Sequence, residues 1–374
     1  MKKIFENILV IFVCICIFVA FLILGFLLYK EIGKMEVDIQ PEEFKSVIDT
    51  SKKETTEAIQ TPEIIKNDIG QTGNTNAQTT NVNYDNISVD KYYYNQLDNY
   101  SKTMYKAFEG NKEAMKTGTA RIDFENQFSD IASTDQGQEK LGKYYGAAIN
   151  AYTYDNPDIF YINPNKLYLN IETVSSSKGK TYNIYVDNGN EANYYTNGYK
   201  SKSDVENAIS KVEEVKKAIL SERKGDTYTD IKMIHDYLIN TIEYDSTLSK
   251  DNIYNIYGAL VNHECVCEGY ARSMKYLLDN LGIPCVLVIG TGTNSNGETE
   301  NHAWDYVELN NNWYAIDATW DDPIVVGGGQ ASNSDKYRYF LKGSTDMNKN
   351  HTPNGQFAEG GKVFSYPNLS SKNY

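Results

Sequence analysis

Cys267 stands where a loop gives way to a run with helical apolar spacing, and that is the setting in which a thiol ionises most readily. The amides of a helix's first turn and its partial positive charge favour thiolate, the form that attacks. A thiolate nucleophile still needs an imidazole to exchange its proton with, and a third group to orient that imidazole. The run NHAWDYVELNNNWYAID supplies both if it folds as a hairpin with a two-residue turn at Asn310 and Asn311. Asn accepts the positive φ that such a type I′ turn imposes. Leu309 then faces Asn312, and Asp317 falls opposite Trp304. Because side chains alternate along a strand, His302 and Trp304 share one face, and Asp317 reaches that face diagonally beside His302. Asp305 points to the other face and is the poorer third member. A three-residue turn would shift the register and separate the pair.

The elements that must hold these residues are legible in outline. A helix is predicted over Glu268 to Leu281, with Tyr270, Met274, Leu277, Leu278 and Leu281 on its apolar side, closed by Gly282 and followed by Pro284. Upstream, Ser203 and Glu206 read as a capping box in front of Val205, Ile209, Val212, Val215 and Ile219. A second helix, about Tyr228 to Ile242, carries His235. Cys285 to Ile289 is a β-branched run expected as a buried strand, and His302 to Leu309 and Asn312 to Asp317 are the hairpin strands.

Three blocks, ECVCEGYARSMKYLLDNLGIPC, NHAWDYVEL and WYAIDATWDDP, resemble the signature blocks of the transglutaminase-like domain, within the papain-like superfamily of cysteine enzymes. With the preceding helix the resemblance covers about Thr229 to Pro323. It implies Cys267 as nucleophile, His302 as base and Asp317 as orienting acid. It also implies an α+β fold in which the Cys-bearing helix packs on an antiparallel sheet, and acyl transfer through a thioester. YDNPDIFYI and the YRYFLKGSTDMNKNH tail resemble segments that flank this domain in bacterial envelope relatives. Asp305 departs from the pattern, since relatives often carry Asn there.

The remaining chemistry-bearing side chains have plainer readings. Cys265 and Cys285 are expected to pack, and a C-x-C spacing strains a direct disulfide. His263, Cys265 and Cys267 lack the paired spacing of a zinc site, so neither metal nor other cofactor is expected. His235 is expected as a packed or capped histidine, and His351 as a loop residue of little consequence. Tyr270 and Arg272 are read as helix-packing and surface residues.

The rest of the 374-residue chain divides by composition. Residues 1–7 precede an uncharged run from Ile8 to Tyr29, 22 residues long and sufficient to span a hydrocarbon layer of about 30 Å. It reads as one transmembrane helix, with a cleaved signal peptide as the alternative. Lys2 and Lys3 ahead of it place the N-terminus in the cytoplasm and the remaining chain outside. Residues 30–88 are polar and of low complexity, read as a flexible linker. Residues 89–200 form a Tyr-rich α+β domain, with helical spacing at Tyr93, Leu97, Tyr100, Met104 and Phe108 and again at Leu141, Tyr145, Ala148 and Tyr152. A strand hairpin is expected around SSSKG. Residues 201–374 hold the transglutaminase-like domain and a C-terminal extension.

The chain carries 36 Lys and Arg against 50 Asp and Glu, a net charge of −14, which argues against a phosphate-backbone partner. The mean hydropathy of −0.53 averages the apolar N-terminal run away. The function expected is a membrane-anchored, outward-facing cysteine enzyme acting on protein or peptide amides, among them cell-wall peptides or envelope proteins. A peptidase or amidase with the same triad is the first alternative. A non-catalytic envelope-binding module with a vestigial triad is the second.

Overall fold

The computed structural model describes residues 64–69, 87–124, 127–322, 332, 334–354 and 364–374. These belong to one compact unit. The predicted cytoplasmic segment 1–7, the apolar run Ile8 to Tyr29 and most of the expected linker lie outside the described residues. Among the described residues no helix is long and apolar enough to cross a membrane.

Part of the expected linker is not a linker. Ile65–Ile69 forms β1, which runs parallel to β3 (Tyr168–Ser176) at the edge of a four-stranded sheet ordered β1-β3-β4-β2. β2 is Ile122–Asp123 and β4 is Gly179–Asp187, the latter closing the hairpin with β3 across SSSKG. The short IIKNDI run is hidden from composition by its polar neighbours. Its strand pairs from Ile65 opposite Asn170 to Ile69 opposite Val174, and Ile64 just ahead of the strand rests against Gly142, where a Cβ would meet its Cδ1 at 2.9 Å.

The tyrosine stripe divides into two helical pieces. A single turn, Tyr92–Asn95, stops, and α1 (Asn99–Gly110) restarts because Asp98 accepts the amide of Ser101 as a cap. α2 (Asp135–Asp155) begins where Thr134 accepts the amide of Gly137. Tyr93, Tyr105, Tyr145 and Tyr152 are buried, and Tyr105 meets Tyr152 edge to face at 5.1 Å. Apart from Tyr100, which is exposed, the stripe is therefore core, the large apolar area of the buried rings being removed from water.

Ser201, not Ser203, caps α3 (Lys202–Leu220), accepting the amide of Asp204. The helix thus starts two residues earlier than the box pattern predicts, because Ser201 and not Ser203 has the extended backbone a cap needs. α4 (Thr227–Thr241) is capped by Asp226. Two short parallel strands follow, β5 (Glu243–Tyr244) and β6 (Glu264–Cys265), with a π-helical turn at Gly258–Asn262 between them. They deliver the chain to α5 (Cys267–Asn280), whose first residue is Cys267.

The second sheet is antiparallel in the order β10-β7-β8-β9. It comprises β7 (Cys285–Thr293), β8 (Thr299–Leu309), β9 (Asn312–Ile316) and β10 (His351–Pro353). α5 packs on β7 and β8, so a Cys-bearing helix lies on an antiparallel sheet within a mixed α+β fold. The turn between β8 and β9 has φ of 54° at Asn310 and 61° at Asn311, and Leu309 pairs with Asn312, the predicted register.

The Tyr-rich region is fastened to this core through buried polar contacts. The Tyr93 hydroxyl donates to the carbonyl of Leu287 on β7. Arg272 of α5, expected at the surface, is buried: its Nη1 donates to the Thr153 carbonyl at 2.7 Å and its guanidinium pairs with Glu268. A guanidinium four residues after an acid on one helix face finds its partner within that helix, which makes the burial tolerable.

Candidate active site

Cys267 and Asp317 sit at element boundaries, and His302 within a strand. Cys267 opens α5, with Val266 in the extended conformation just ahead of it. Gly269 is required two residues on, because a Cβ there would meet Cys265 Cβ at 2.5 Å and the Ile253 carbonyl at 2.8 Å. Cys265 thus packs under the start of the helix. It is fully buried, as is Cys285, and burial pushes both thiols well up. Cys285 donates weakly to Asp305 Oδ1 at 3.4 Å, so Asp305 occupies the opposite face from His302, as the alternation predicts.

His302 projects from β8, and Asp317 follows directly after β9. His302 Nε2 donates to Asp317 Oδ2 at 2.7 Å, since a carboxylate can only accept. The imidazole is also hydrogen-bonded to the Cys267 side chain. With Nε2 committed to Asp317, Nδ1 is the nitrogen left for the sulfur. Asp317 is held from its other side, where Oδ1 accepts the amides of Thr319 and Trp320 at 3.0 and 3.2 Å.

The electrostatics follow from this arrangement. Burial opposes charge on His302, but the Asp317 carboxylate and then Cys267 outweigh it and push the imidazole up to about 10. Burial likewise opposes ionisation of Asp317, and His302 and His351 overcome it, holding the carboxyl below the usual range. The two shifts agree: the proton belongs to His302 and the negative charge to Asp317.

His302 is stacked between Trp320, with ring centroids 5.0 Å apart, and Trp304, at 5.8 Å. Tyr244, Gly292, Glu300, Thr319 and Trp320 close over it, leaving a cavity of about 10 Å³, the room of a single water. A roomier cavity of about 220 Å³ lies elsewhere, beside Glu268, Arg272 and Phe160.

His351 is the residue that sequence reasoning undervalued. It is buried, and its Nε2 donates to the same Asp317 Oδ2 at 3.0 Å. Its position 34 residues after Asp317, on a three-residue strand, gives no periodic signal. His235 is also deeply buried, with Nε2 donating to Asp321 Oδ2 at 3.0 Å, while Asp321 Oδ1 accepts the Tyr339 amide at 2.7 Å. That pair pins the loop after Asp317 to α4 and is structural. Tyr270, by contrast with a purely apolar role, donates to Asp322 in the same loop at 2.6 Å.

Among the described residues, one group of possible metal ligands has its donor atoms within 4.8 Å of one another: His302, Asp317 and His351. His263, Cys265 and Cys267 are not gathered into such a group. In the His302, Asp317 and His351 group the nitrogens that face one another are hydrogen-bonded to the carboxylate, so a cation would have to displace both protons.

A model of the transglutaminase-like superfamily matches residues 214–318, a span that contains Cys267, His302 and Asp317. Among curated proteins, kyphoscoliosis peptidase from Homo sapiens is 26% identical over 121 residues, covering 29% of this chain and 18% of that protein. The same peptidase from Mus musculus is 27% identical over the same length. This chain therefore corresponds to under a fifth of those relatives. Among solved structures, a TGase crystal structure aligns at 17% identity with a TM-score of 0.29, covering 49% of this chain and 51% of that one. The periplasmic domain of TgpA from Pseudomonas aeruginosa aligns at 15% identity and a TM-score of 0.23, covering 38% and 56%. Residues 214–318 are thus similar to the transglutaminase-like superfamily, and the curated relatives are named peptidases.

Proposed function

We propose that this transglutaminase-like domain performs acyl transfer on protein or peptide amides, with Cys267 as nucleophile, His302 as proton shuttle and Asp317 as its orienting partner. The observation that carries the reading is the continuous hydrogen-bonded series Cys267, His302, Asp317, buried and ordered from three separate elements. The sulfur attacks the amide carbon, a C–S bond forms, and the carbonyl oxygen becomes an oxyanion. The amide of Cys267, in the first turn of α5, is one donor to that oxyanion. His302 gives its proton to the departing amine as the C–N bond breaks, leaving a thioester. An amine or a water then attacks the thioester and returns the thiol.

The curated relatives are named peptidases, which favours water as the second acceptor. The chemistry up to the thioester is common to both outcomes. Incubating the full chain with a Gln-containing protein and a biotinylated amine, then mapping products by mass spectrometry, separates them. Amine incorporation identifies a transamidase, and cleavage or deamidation identifies a hydrolase. Neither product across a broad substrate set would defeat the enzymatic reading and favour a binding module.

We also propose that the domain faces outward from a membrane through Ile8 to Tyr29, the support being that segment's length and lack of charge. A membrane-impermeant label should modify residues after 200 in intact cells. Labelling only after lysis would overturn this topology.

A further inference from the structure

Asp317 Oδ2 accepts from two imidazoles, and only one of them belongs to the series that reaches the sulfur. The second, His351, arrives from β10 across an intervening strand. In the sheet, His302 pairs with Gly290 of β7, and His351 pairs with Gly292 of the same strand. Residues directly opposite one another share a face, so both histidines rise on one side of the sheet with two glycines between them. Two strand spacings would separate the backbones by roughly 9–10 Å, yet the ring centroids approach to 5.4 Å.

The glycines permit that convergence. A Cβ at Gly290 would meet the Thr352 carbonyl oxygen at 2.2 Å and the Trp304 ring at 2.8 Å. At Gly292 a Cβ would meet the Trp320 ring at 2.8 Å and His302 Cδ2 at 3.3 Å. His351 is walled by Trp320, Trp304 and Tyr339, with ring centroids at 4.5, 5.0 and 5.2 Å. Its Nδ1 lies 2.9 Å from the Asn350 side-chain amide, which in turn contacts the Tyr339 hydroxyl at 2.7 Å. The ring is therefore fixed on every side, with Nε2 on the carboxylate and Nδ1 against Asn350 Oδ1. His351 lies outside residues 214–318, beyond the matched domain.

We propose that His351 is a positioning residue for the candidate site: by donating Nε2–H to the carboxylate oxygen that His302 uses, it aims that oxygen and moderates its pull on His302. This rests on the acyl-transfer reading above. An acceptor oxygen that serves two N–H donors holds each less strongly than one that serves a single donor. Without His351 the Asp317–His302 bond tightens, His302 keeps its proton to higher pH, and it becomes a poorer acid toward the departing amine.

The other groups that face this pair are Cys267 of α5, Tyr244 of β5, Glu300 of β8, Asp321 of the loop after β9, and Tyr339. None of them is substituted in the variants compared. Site-resolved alkylation of Cys267 by iodoacetamide is followed against pH in the full chain, with chelator present so that bound metal makes no contribution. Turnover of a Gln peptide with an amine is measured in parallel. His351→Phe should move the alkaline step of the alkylation profile up by about one pH unit and lower kcat about tenfold with KM unchanged. His351→Gln, whose side-chain amide restores a donor, should return both to wild type.

A Phe profile that superimposes on wild type overturns the inference. So does an equal shift in Phe and Gln, which would mark a packing role alone. If the Phe variant does not fold, His351→Asn, whose amide is too short to reach Oδ2, gives the same comparison with Gln. Wild-type Cys267 alkylating like an ordinary thiol would defeat the acyl-transfer reading itself, a result distinct from any difference between variants.

Discussion

Under the proposed mechanism, Asp317→Asn should lower the rate of Cys267 acylation by about 10³- to 10⁴-fold, although the substitution changes almost no volume. The backbone decides why. The amides of Thr319 and Trp320 both point at Oδ1, so the oxygen of the new side chain must stay with them. Its nitrogen then occupies the place of Oδ2 and donates toward His302 and His351. His302 Nε2 can no longer donate there and must accept, which moves the ring proton to Nδ1. That nitrogen faces the sulfur and, once protonated, cannot take the thiol proton. The loss should appear in kcat and not in KM, because the geometry of substrate binding is unaltered. Single-turnover acylation with an activated ester measures it, and a loss under about tenfold would show that Asp317 does not control the tautomer.

The second large effect is on stability against pH. His302 has its folded value raised from the ordinary 6.5 to about 10. A raised value means that the folded state holds the proton more tightly than the unfolded chain. The corresponding stabilisation is complete below about 6.5 and is lost as pH climbs through 10. The expected slope is about 1.4 kcal/mol per pH unit between those limits, the value for one proton. His351 has the opposite sign: burial and the nearby His302 charge hold it below 6.5, so its contribution falls away as the solution becomes more acidic. Asp317, held below the carboxylate range, also loses its contribution in acid, at pH lower than His351 does. The joint contribution of these three groups is largest near pH 6.5. Urea unfolding between pH 6.5 and about 8 reads the alkaline slope before the buried thiols and tyrosines ionise in the unfolded chain. His302→Gln should flatten it, and an unchanged slope in that variant would assign the effect to other groups.

Much of this site was legible because short-range rules governed it. Asn310 and Asn311 specify the turn, the turn specifies the register, and the register carries Asp317 to His302. The helix start at Cys267 was within one residue of its predicted place, and the pattern of Tyr270, Met274, Leu277 and Leu278 did face inward. Where the reading failed, the deciding contact was distant or the backbone chose among equals. Ser201 and Ser203 are equally good caps by residue type, and only the extended conformation at Ser201 separates them. Arg272 looked like a surface residue because its buried acceptor, the Thr153 carbonyl, lies 119 residues away. β1 needed its partner β3 to be recognised as a strand. His351 needed the whole sheet, since its meaning comes from Gly290 and Gly292 leaving space beneath two rings.

The enclosure of Cys267 sets a thermodynamic toll on every encounter. The residue has 0% exposure, and only a cavity of about 10 Å³ stands beside its imidazole partner. On the proposed reading, an acyl donor would engage only the subset of molecules in which the residues lining that cavity had moved aside. Its apparent affinity is the intrinsic one divided by that fraction, so an opening occupied one part in a hundred weakens binding by about a hundredfold. Substrates that themselves favour the open arrangement recover this loss, whereas a bulky thiol poison without that preference bears it in full. Selectivity in this protein would then begin with the population of the open form, ahead of any contact that distinguishes one amide from another.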